Sequence, residues 1–579
     1  MADHIEPLAQ ETGSFVPDHK HLRSWRLFIV IGTLFVGIFL FGLDVNIIGV
    51  AIPKITTEFG SLDKVAWYGS AYLLTVTAFQ PGFGNLYRFF NTKRVYLVSL
   101  LLFEVGSAVC GSAPKSEVLI LGRALLGVGA AGLLQGALAI ISQIVPLDKV
   151  PMYQGIVIGA IGISVCTGPI IGGALTEYTS WRWCFWINVP AGAVVILVVI
   201  LFVPISQTSK DEDGKLSLPE KLRRMDPIGT TLFLGFVCCL LLALIWGGQT
   251  YSWSDSRVIG VLVGSAILLA CFCYWLWRQG EMALIPLRIL RKRSIAMGAV
   301  TLFAISMPLN IYGYYLPLFF QTAQGTSVTT SGIRQIALMA PDIVGIALTG
   351  FVVSKWGYYV PYMVAGSVIA SVGAGLLTTI DAAIPTEKWA AYLVITGIGV
   401  GMSFQLPYTA VQVALEPVDV PTGNAIAVFS SQLSGAIGLA IGQNLLVHRL
   451  EEAIPEYTNA VTPAAVIGVG AAGLAELSSS PAVLDALRHA YADAIRWTMY
   501  LAVAAMCIAF PSSCSMEWLN IKHVAEQRKA RDEIGPQNHR NNFASPVNGN
   551  EEEKGVVSKA QSAPARGCKT EISESSEAQ

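Results

Sequence analysis

The stretch YQGIVIGAIGISVCTGPIIGGALTE, residues 153–177, is long enough and apolar enough to cross a membrane as a single helix. It also carries more glycine than a helix facing lipid needs. Ser164, Gly168 and Gly172 recur every four residues and place a stripe of small side chains on one face. Because such a stripe lets a second helix approach backbone to backbone, the pattern predicts a tightly packed membrane helix.

Pro169 lies inside this stretch. It lacks a backbone N–H and displaces the carbonyl one turn earlier, so the helix is expected to bend there. A tightly packed, bent helix is a candidate hinge for a transporter that opens alternately to the two sides of a membrane, with Ser164, Gly168, Pro169, Gly172 and Gly173 as its residues. Simple close packing of two helices is the alternative interpretation.

The rest of the chain has the composition of a membrane protein. Of its 579 residues, 53% are hydrophobic and 13% are charged, and the mean hydropathy is +0.56. Soluble domains carry about 25% charged residues. The net charge of −1 provides no basic field for nucleic acid. The cysteines lie mostly inside apolar runs, without disulfide or metal-site spacing. We therefore predict a polytopic α-helical membrane protein without cofactor or metal.

Fourteen apolar stretches are long enough to be membrane spans. They cover residues 27–53, 65–87, 95–113, 117–145, 153–177, 183–204, 228–248, 257–278, 296–321, 331–354, 360–380, 388–414, 422–447 and 494–514. An even number of spans places both termini on the same side of the membrane.

Lysine and arginine are concentrated in alternate links between these spans. The links 88–94, 205–226 and 279–295 carry three, five and four of them, and the intervening links carry fewer. Because basic links stay in the cytoplasm, both termini are predicted to be cytoplasmic. The predicted location is the cell membrane, with the vacuolar membrane as the alternative.

The predicted organisation has two six-helix halves. A glycine followed by basic residues ends the second span of each half, beginning at Gly84 and at Gly350, although this echo is short enough to arise by chance. The predicted segments are a cytoplasmic N-terminus at 1–26, a first half at 27–204, links with two inserted helices at 205–295, a second half at 296–515 with an external loop at 448–493, and a disordered cytoplasmic tail at 516–579.

Several motifs lie in a fixed order along these spans. They are Leu43-Asp44 and residues 50–53 in the first span, Arg123, Gly127 and Gly129 in the fourth, GPIIGG at 168–173 in the fifth, WRWCFWINVP at 181–190 before the sixth, and Tyr315-Leu316-Pro317 with Phe320-Gln321 in the ninth. Together they resemble the motifs of the fungal fourteen-span drug:proton antiporters of the major facilitator superfamily, over residues 25–515. The resemblance implies an all-α major facilitator fold with fourteen transmembrane helices, two six-helix halves plus two inserted helices.

The turn after the second span departs from the family pattern. Arg88 occupies a position where the family has an aspartate, so the usual acidic gating contact is not expected there. Asn91 replaces a glycine and is expected to accept the left-handed backbone of that glycine. By resemblance, Gly84, Arg88, Lys93 and Arg94 form a cytoplasmic gating turn.

Few ionisable residues lie deep inside the spans, so each is a functional candidate. Asp44 and Arg123 lie at depths that agree to within about one helical turn of 3.6 residues. We predict that they face one cavity, where Arg123 pairs with Asp44 or controls its proton affinity. A fixed structural pair is the alternative. Glu104, in the third span, is predicted to be either a neutral hydrogen-bonded acid or a proton relay.

Neutral polar and aromatic residues inside the spans are candidates for a substrate cavity, since apolar walls with a few amides accept varied amphipathic molecules. Hydrogen bonding between helices is the alternative role for the amides. The candidates are Tyr72, Gln135, Asn310, Tyr314, Gln405 and Gln432.

No phosphate-binding loop and no GxSxG or HExxH motif is found, so an enzyme is not predicted. The resemblance implies a proton-coupled exporter of small hydrophobic or amphipathic molecules, such as toxins, drugs or secondary metabolites. We expect it to be monomeric and to have protons and its small-molecule substrate as partners. The alternatives are a proton-coupled importer of a siderophore or nutrient on the same fold, and a membrane sensor that does not transport its ligand.

Overall fold

A computed structural model describes residues 24–60, 64–203, 217–247, 251–469, 474 and 480–531. Most of these residues are helical, and extended backbone pairs within them at two isolated bridges. A helix satisfies its own backbone hydrogen bonds, which lipid cannot do. The predicted all-α class is therefore confirmed.

Seven helices build the first half of the chain, between residues 24 and 203. The first helices are long because the apolar runs that form them are long. They are α1 (Ser24–Phe59), α2 (Val65–Phe89), α3 (Thr92–Gly111), α4 (Ser116–Ile144), α5 (Val150–Tyr178), α6 (Trp183–Trp186) and α7 (Asn188–Phe202).

A second group of helices follows. The inserted segment contains α8 (Leu218–Arg224), α9 (Pro227–Trp246), α10 (Ser256–Gln279) and α11 (Leu287–Leu290). The second half contains α12 (Arg293–Thr322), α13 (Val328–Arg334), α14 (Ile336–Trp356), α15 (Val360–Leu377), α16 (Thr386–Phe404), α17 (Leu406–Ala414), α18 (Val420–Tyr457), α19 (Pro463–Val469) and α20 (Pro481–Cys514).

Thirteen candidate membrane spans lie among the described residues. The remaining predicted span, 65–87, falls on α2, which has 25 residues but contains no stretch as apolar as the best stretch of each of the other spans. The predicted external loop 448–493 is shorter than expected, because α18 continues to Tyr457 and α20 begins at Pro481. Residues 521–531, within the predicted disordered tail, are helical. Residues 532–579 and 1–23 lie outside the described part of the chain.

The two halves use glycine in the same way at equivalent helix pairs. In the first half, a Cβ on Gly106 of α3 would lie 2.5 Å from the backbone nitrogen of Leu126 on α4. In the second half, a Cβ on Gly366 of α15 would lie 2.8 Å from the carbonyl oxygen of Gly399 on α16. In both halves the third and fourth spans therefore touch through their backbones, as the predicted repeat requires.

The inserted helices are joined to one another through Asp226, which precedes α9. This residue is buried and adopts a left-handed backbone with φ 51°. Its carboxylate accepts hydrogen bonds from the backbone of Gly229 at 2.9 Å, the indole of Trp275 at 2.8 Å and the backbone of Leu284 at 2.8 Å. One carboxylate thus connects the start of α9, the end of α10 and the segment after it.

The two halves meet along two seams within one compact unit, which contains the described residues up to 527. One seam joins α5 to α14, and the other joins α2 to α18. We call the end of the bundle that carries residues 88–94, 217–226 and 279–295 the basic end. The contacts described below are located relative to it.

Candidate functional site

An ion pair lies in the interior of the first half. Asp44 is on α1 and Arg123 is on α4, and their side chains are 0% and 1% exposed. The Nη1 atom of Arg123 donates a hydrogen bond to Oδ2 of Asp44. The two residues that were predicted from depth alone to meet are therefore in direct contact. They are enclosed by protein in this conformation and do not line the open cavity described below.

The guanidinium group of Arg123 is held on several sides. Its Nε donates to the carbonyl oxygen of Tyr68 at 2.8 Å. The ring of Tyr72 lies 4.5 Å from the guanidinium carbon, and the ring of Phe185 lies 6.0 Å from it, both within the range of a cation–π contact. Arg123 therefore has partners besides Asp44 and would keep part of its support if Asp44 lost its charge.

Tyr72, which was predicted to line a substrate cavity, belongs to this ion-pair site instead. Its side chain is fully buried, and its hydroxyl lies 3.5 Å from the carbonyl oxygen of Phe41. The expectation failed because position along a helix does not say which way the ring points. Here it points at Arg123.

The second carboxylate oxygen of Asp44, Oδ1, is buried and has no hydrogen-bond partner in the structure. The pair therefore uses one oxygen for the arginine, and the side chain of Asn188 lies close enough to interact with the carboxylate without meeting the geometry of a hydrogen bond at Oδ1. A carboxylate in this state can accept a proton at Oδ1 without first breaking its contact at Oδ2. Protonation would remove the charge that holds Arg123.

Glu104 lies on α3, packed against Gly192 of α7, where a Cβ would overlap its carboxylate. It is 7% exposed, and neither of its carboxylate oxygens has a hydrogen-bond partner in the structure. The hydrogen bond expected for a neutral buried acid is thus not present. A buried carboxylate without a partner is less costly when protonated.

The small-residue stripe of α5 packs against α1 on either side of Asp44. A Cβ added to Gly42 would overlap the hydroxyl of Ser164. A Cβ on Gly168 would lie 2.8 Å from that of Asn46, and a Cβ on Gly172 would lie 2.9 Å from the carbonyl oxygen of Ile47. The stripe therefore fixes α1 over the two turns that contain Asp44. The helix α5 continues through Pro169 from Val150 to Tyr178.

The predicted gating turn divides into residues with different roles. A Cβ on Gly84 would lie 2.7 Å from that of Ala425 on α18, so this glycine lies at the seam between the halves. Lys93 instead donates to the carbonyl oxygens of Ile200 and Val203 at 2.7 and 2.8 Å, which ties α3 to the end of α7 within one half.

Arg94 of the turn and the neighbouring Asn91 lie at the start of α3. Arg94 is exposed. Asn91 was expected to adopt a left-handed backbone, but its φ is −62° and its ψ is 119°. Its side chain accepts a hydrogen bond from the backbone nitrogen of Arg94 at 3.2 Å. Asparagine replaces glycine here as the N-cap of α3, a role that needs no left-handed conformation.

Arg88 meets a carboxylate from the other half of the protein. Its Nη2 lies 3.8 Å from Oδ1 of Asp419, the residue before α18. Arg288, from the link after the inserted helices, donates to Oδ2 of the same residue at 2.8 Å. The acidic contact missing from the first half is therefore supplied by Asp419, which is 4% exposed. This contact joins both halves and the inserted segment at the basic end.

Replacing Asp419 with asparagine is expected to loosen the basic end. If the charge-assisted contact is worth about 1.4 kcal/mol, its loss would increase the fraction of molecules that are open at the basic end about tenfold. The readout is maleimide labelling of Thr422→Cys, a buried position one turn into α18, in a background without native cysteines. Glu281→Gln is the matched control, because Glu281 also binds Arg288 at 3.0 Å but is exposed. Equal labelling of both variants would contradict a gating role for Asp419.

Two of the predicted cavity amides lie in the seams between the halves. Gln135 on α4 donates to the carbonyl oxygen of Pro421 at 2.5 Å. Gln405, between α16 and α17, donates to the carbonyl oxygen of Ile346 at 3.3 Å and lies against Gly155 of α5. Both are fully buried. In this conformation they hold helices together, which was the alternative expectation for them.

Asn310 and Gln432 are less buried than these two amides. Asn310 is exposed on α12, and its amide donates to the carbonyl oxygen of Ser306 at 2.8 Å. Gln432 is half-buried on α18. Neither lines the cavity described next.

An open, mostly apolar cavity of about 250 Å³ lies where the inserted helix α9 meets both halves. Tyr314 lines it, as predicted, and is 56% exposed. Its other walls come from α2, α9, α12 and α18, and the polar side chains among them include Ser70 and Gln443. The volume is close to the lower end of the range of about 300–1,000 Å³ for small-molecule sites.

Two buried acidic residues, Asp419 and Asp342, were not predicted from the sequence. Asp419 could have been noticed as an acid directly before a span, opposite basic links. Asp342 could have been noticed as the ionisable residue within 336–354, the apolar run that forms most of α14. Neither residue lies in one of the motifs that carry the family resemblance.

Comparison with known proteins agrees with this architecture. Several relatives are named efflux pumps. Among them, the MFS-type efflux pump MFS1 of Trichophyton rubrum is 42% identical over 87% of this chain and 93% of its own length, and the efflux pump aflT of Aspergillus parasiticus is 39% identical over 87% of this chain and 98% of its own length. Among solved structures, the proton:xylose symporter XylE shares the fold, with a TM-score of 0.55, 13% identity and coverage of 87% of this chain and 100% of XylE.

A family profile described as the Major Facilitator Superfamily matches residues 34–439. This range includes most of α1, both Asp44 and Arg123, the inserted helices and most of the second half. The chain belongs to the major facilitator superfamily.

Proposed function

We propose that this protein is a proton-coupled exporter of small hydrophobic or amphipathic molecules, exchanging protons for substrate across the cell membrane. The observation that carries the proposal is the fully buried Asp44–Arg123 pair, with one carboxylate oxygen free to accept a proton. A buried ionisable pair in a membrane protein is costly and is a functional candidate by default. The fungal relatives named efflux pumps support the direction of transport.

The pair couples proton binding to movement of the halves through α1. When Asp44 is ionised, it holds Arg123, and α1 is held between α4 and α5. When Asp44 binds a proton, the attraction between α1 and α4 weakens, while Arg123 remains bonded to the carbonyl of Tyr68. A proton taken up on one side and released on the other would then bias which end of the protein is open.

The apolar cavity beside α9 supports a hydrophobic substrate. Its walls are mostly leucine, isoleucine and alanine, with Tyr314 available for stacking and Gln443 for a hydrogen bond. Such walls bind molecules by apolar area rather than by charge. Protons therefore act at the Asp44–Arg123 pair, and substrate contacts lie elsewhere. The basic links, with both termini, face the cytoplasm in this proposal.

The test is transport in reconstituted vesicles with a fixed orientation and an imposed pH gradient. A lipophilic fluorescent dye serves as the probe. We expect the dye to enter the compartment that corresponds to the cell exterior when that compartment is acidic, with loss of the pH gradient. Dye movement in the same direction as the protons would indicate an importer. Dye binding without movement would indicate a sensor.

A further inference from the structure

Asp342 is a buried carboxylate that the proposed mechanism does not use. It lies at the midpoint of the candidate span Thr329–Trp356 and is 4% exposed. Its Oδ1 atom is buried and has no hydrogen-bond partner in the structure. A carboxylate at membrane mid-depth without a counter-charge is costly, so its presence requires an explanation.

The backbone of Asp342 is fixed by α16. A Cβ on Gly401 would overlap the carbonyl oxygen of Asp342, and a Cβ on Gly397 would lie 3.2 Å from its backbone nitrogen. The side chain lies towards the other half of the protein. Its Oδ2 would be 3.7 Å from a Cβ on Gly162 of α5, the helix that carries the stripe beside Asp44. The carboxylate is therefore placed in the seam between α5 and α14.

The titratable group that faces Asp342 from α5 is Cys166, which lies close enough to interact with it electrostatically. On α16, the residues packed against it are glycines, and the charged residues Glu387 and Lys388 are in the first helical turn, at the end away from Gly401. No lysine or arginine is paired with Asp342 among the described residues.

The basic residues of the neighbouring elements are directed elsewhere. Arg334 of α13 is hydrogen-bonded to Gln324, and its guanidinium carbon lies 5.2 Å from the ring of Phe320 and 5.3 Å from that of Trp389. Lys355 is in the last turn of α14, thirteen positions further along the helix than Asp342. Asp342 thus differs from Asp44, whose charge is balanced by Arg123.

We propose that Asp342 is a second proton-binding residue, which is protonated while the α5–α14 seam is closed and ionised when the halves part there. The physical reason is solvation: the closed seam offers the carboxylate no cation, whereas an open seam admits water that stabilises the ionised form. By linkage, a proton on Asp342 favours the closed seam to the same extent that closure favours the proton. This proposal rests on the proposed proton-coupled transport.

The first experiment reads the protonation of Asp342 directly. Infrared difference spectra of the purified full-length protein are recorded between neutral and alkaline pH, where a protonated carboxyl group has a distinct C=O band. We expect Asp342→Asn and Asp342→Leu to lose part of this band, and Asp381→Asn, which alters an exposed loop aspartate, to retain it. An unchanged band in both Asp342 variants would overturn the proposal.

The second experiment measures how many protons are transported with each dye molecule. In vesicles, Asp342→Asn is expected to retain dye exchange without a pH gradient and to move one proton fewer per dye molecule than the wild type. A wild-type proton count and pH profile in this variant would overturn the proposal. If the wild type moves dye without protons, the proposed function fails, and the infrared band still decides whether Asp342 is protonated. Failure of both variants to fold would mark Asp342 as structural and overturn the proposal as well.

Discussion

Replacing Asp44 with asparagine is expected to abolish dye transport driven by a pH gradient and to destabilise the folded protein by about 3–5 kcal/mol. The variant leaves the charge of Arg123 buried without its counter-charge, since both side chains are enclosed. It also removes the group that accepts the proton. Transport in oriented vesicles and thermal unfolding in detergent are the two measurements.

The double variant Asp44→Asn/Arg123→Gln separates a coupling role from a structural one. Because it removes both charges, it is expected to recover most of the lost stability, as replacement of whole buried ion pairs often does. It is still expected to lack transport driven by the pH gradient, since no carboxylate remains. If the double variant restored that transport, the pair would be structural, and proton coupling would have to be assigned elsewhere.

Glu58→Gln is the matched control, because Glu58 is also a carboxylate on α1 that is paired with an arginine. Arg182 binds it at 2.8 Å and Trp181 donates to it at 2.6 Å, but its side chain is 45% exposed. An exposed pair contributes less than about 1 kcal/mol. The hydrogen bond from Trp181, with the help of Arg182, holds the pKa of Glu58 below its usual value. Its small contribution is therefore present at neutral pH and is lost as the pH falls through that lowered pKa.

Gly172→Ala and Gly173→Ala are expected to differ sharply although the residues are adjacent and the substitution is the same. A Cβ on Gly172 would lie 2.9 Å from the carbonyl oxygen of Ile47 and 2.7 Å from its Cγ1, so α1 and α5 must separate to admit it. A Cβ on Gly173 would have its nearest neighbour, Cγ1 of Val50, at 3.8 Å, which is an ordinary contact. Overpacking of this kind costs about 1–3 kcal/mol.

We therefore expect Gly172→Ala to lower the melting temperature and to reduce dye transport strongly, because the displaced segment of α1 includes the turn that carries Asp44. Gly173→Ala should behave as the wild type in both assays. Gly172→Val, with two more methyl groups, should be worse than Gly172→Ala. Equal behaviour of the two alanine variants would contradict the tight α1–α5 contact.

The sequence by itself determined the membrane class, the approximate positions of the helices and the family. These properties follow from the length and apolarity of each run, which are local, and from the need of every backbone group in lipid to bond within its own helix. The meeting of Asp44 with Arg123 was also predictable, because depth along a helix can be counted from residue positions and a deep charge requires a partner.

The tertiary structure alone decided which neighbour each helix face meets. Counting residues gives depth but not the rotation and packing of a helix among its neighbours. For this reason Tyr72 lies against Arg123 and not in the cavity, Gln135 bonds across a seam, and Lys93 ties α3 to α7. The pairing of Arg88 with Asp419 joins residues more than three hundred positions apart, a contact that exists only once the two halves have come together.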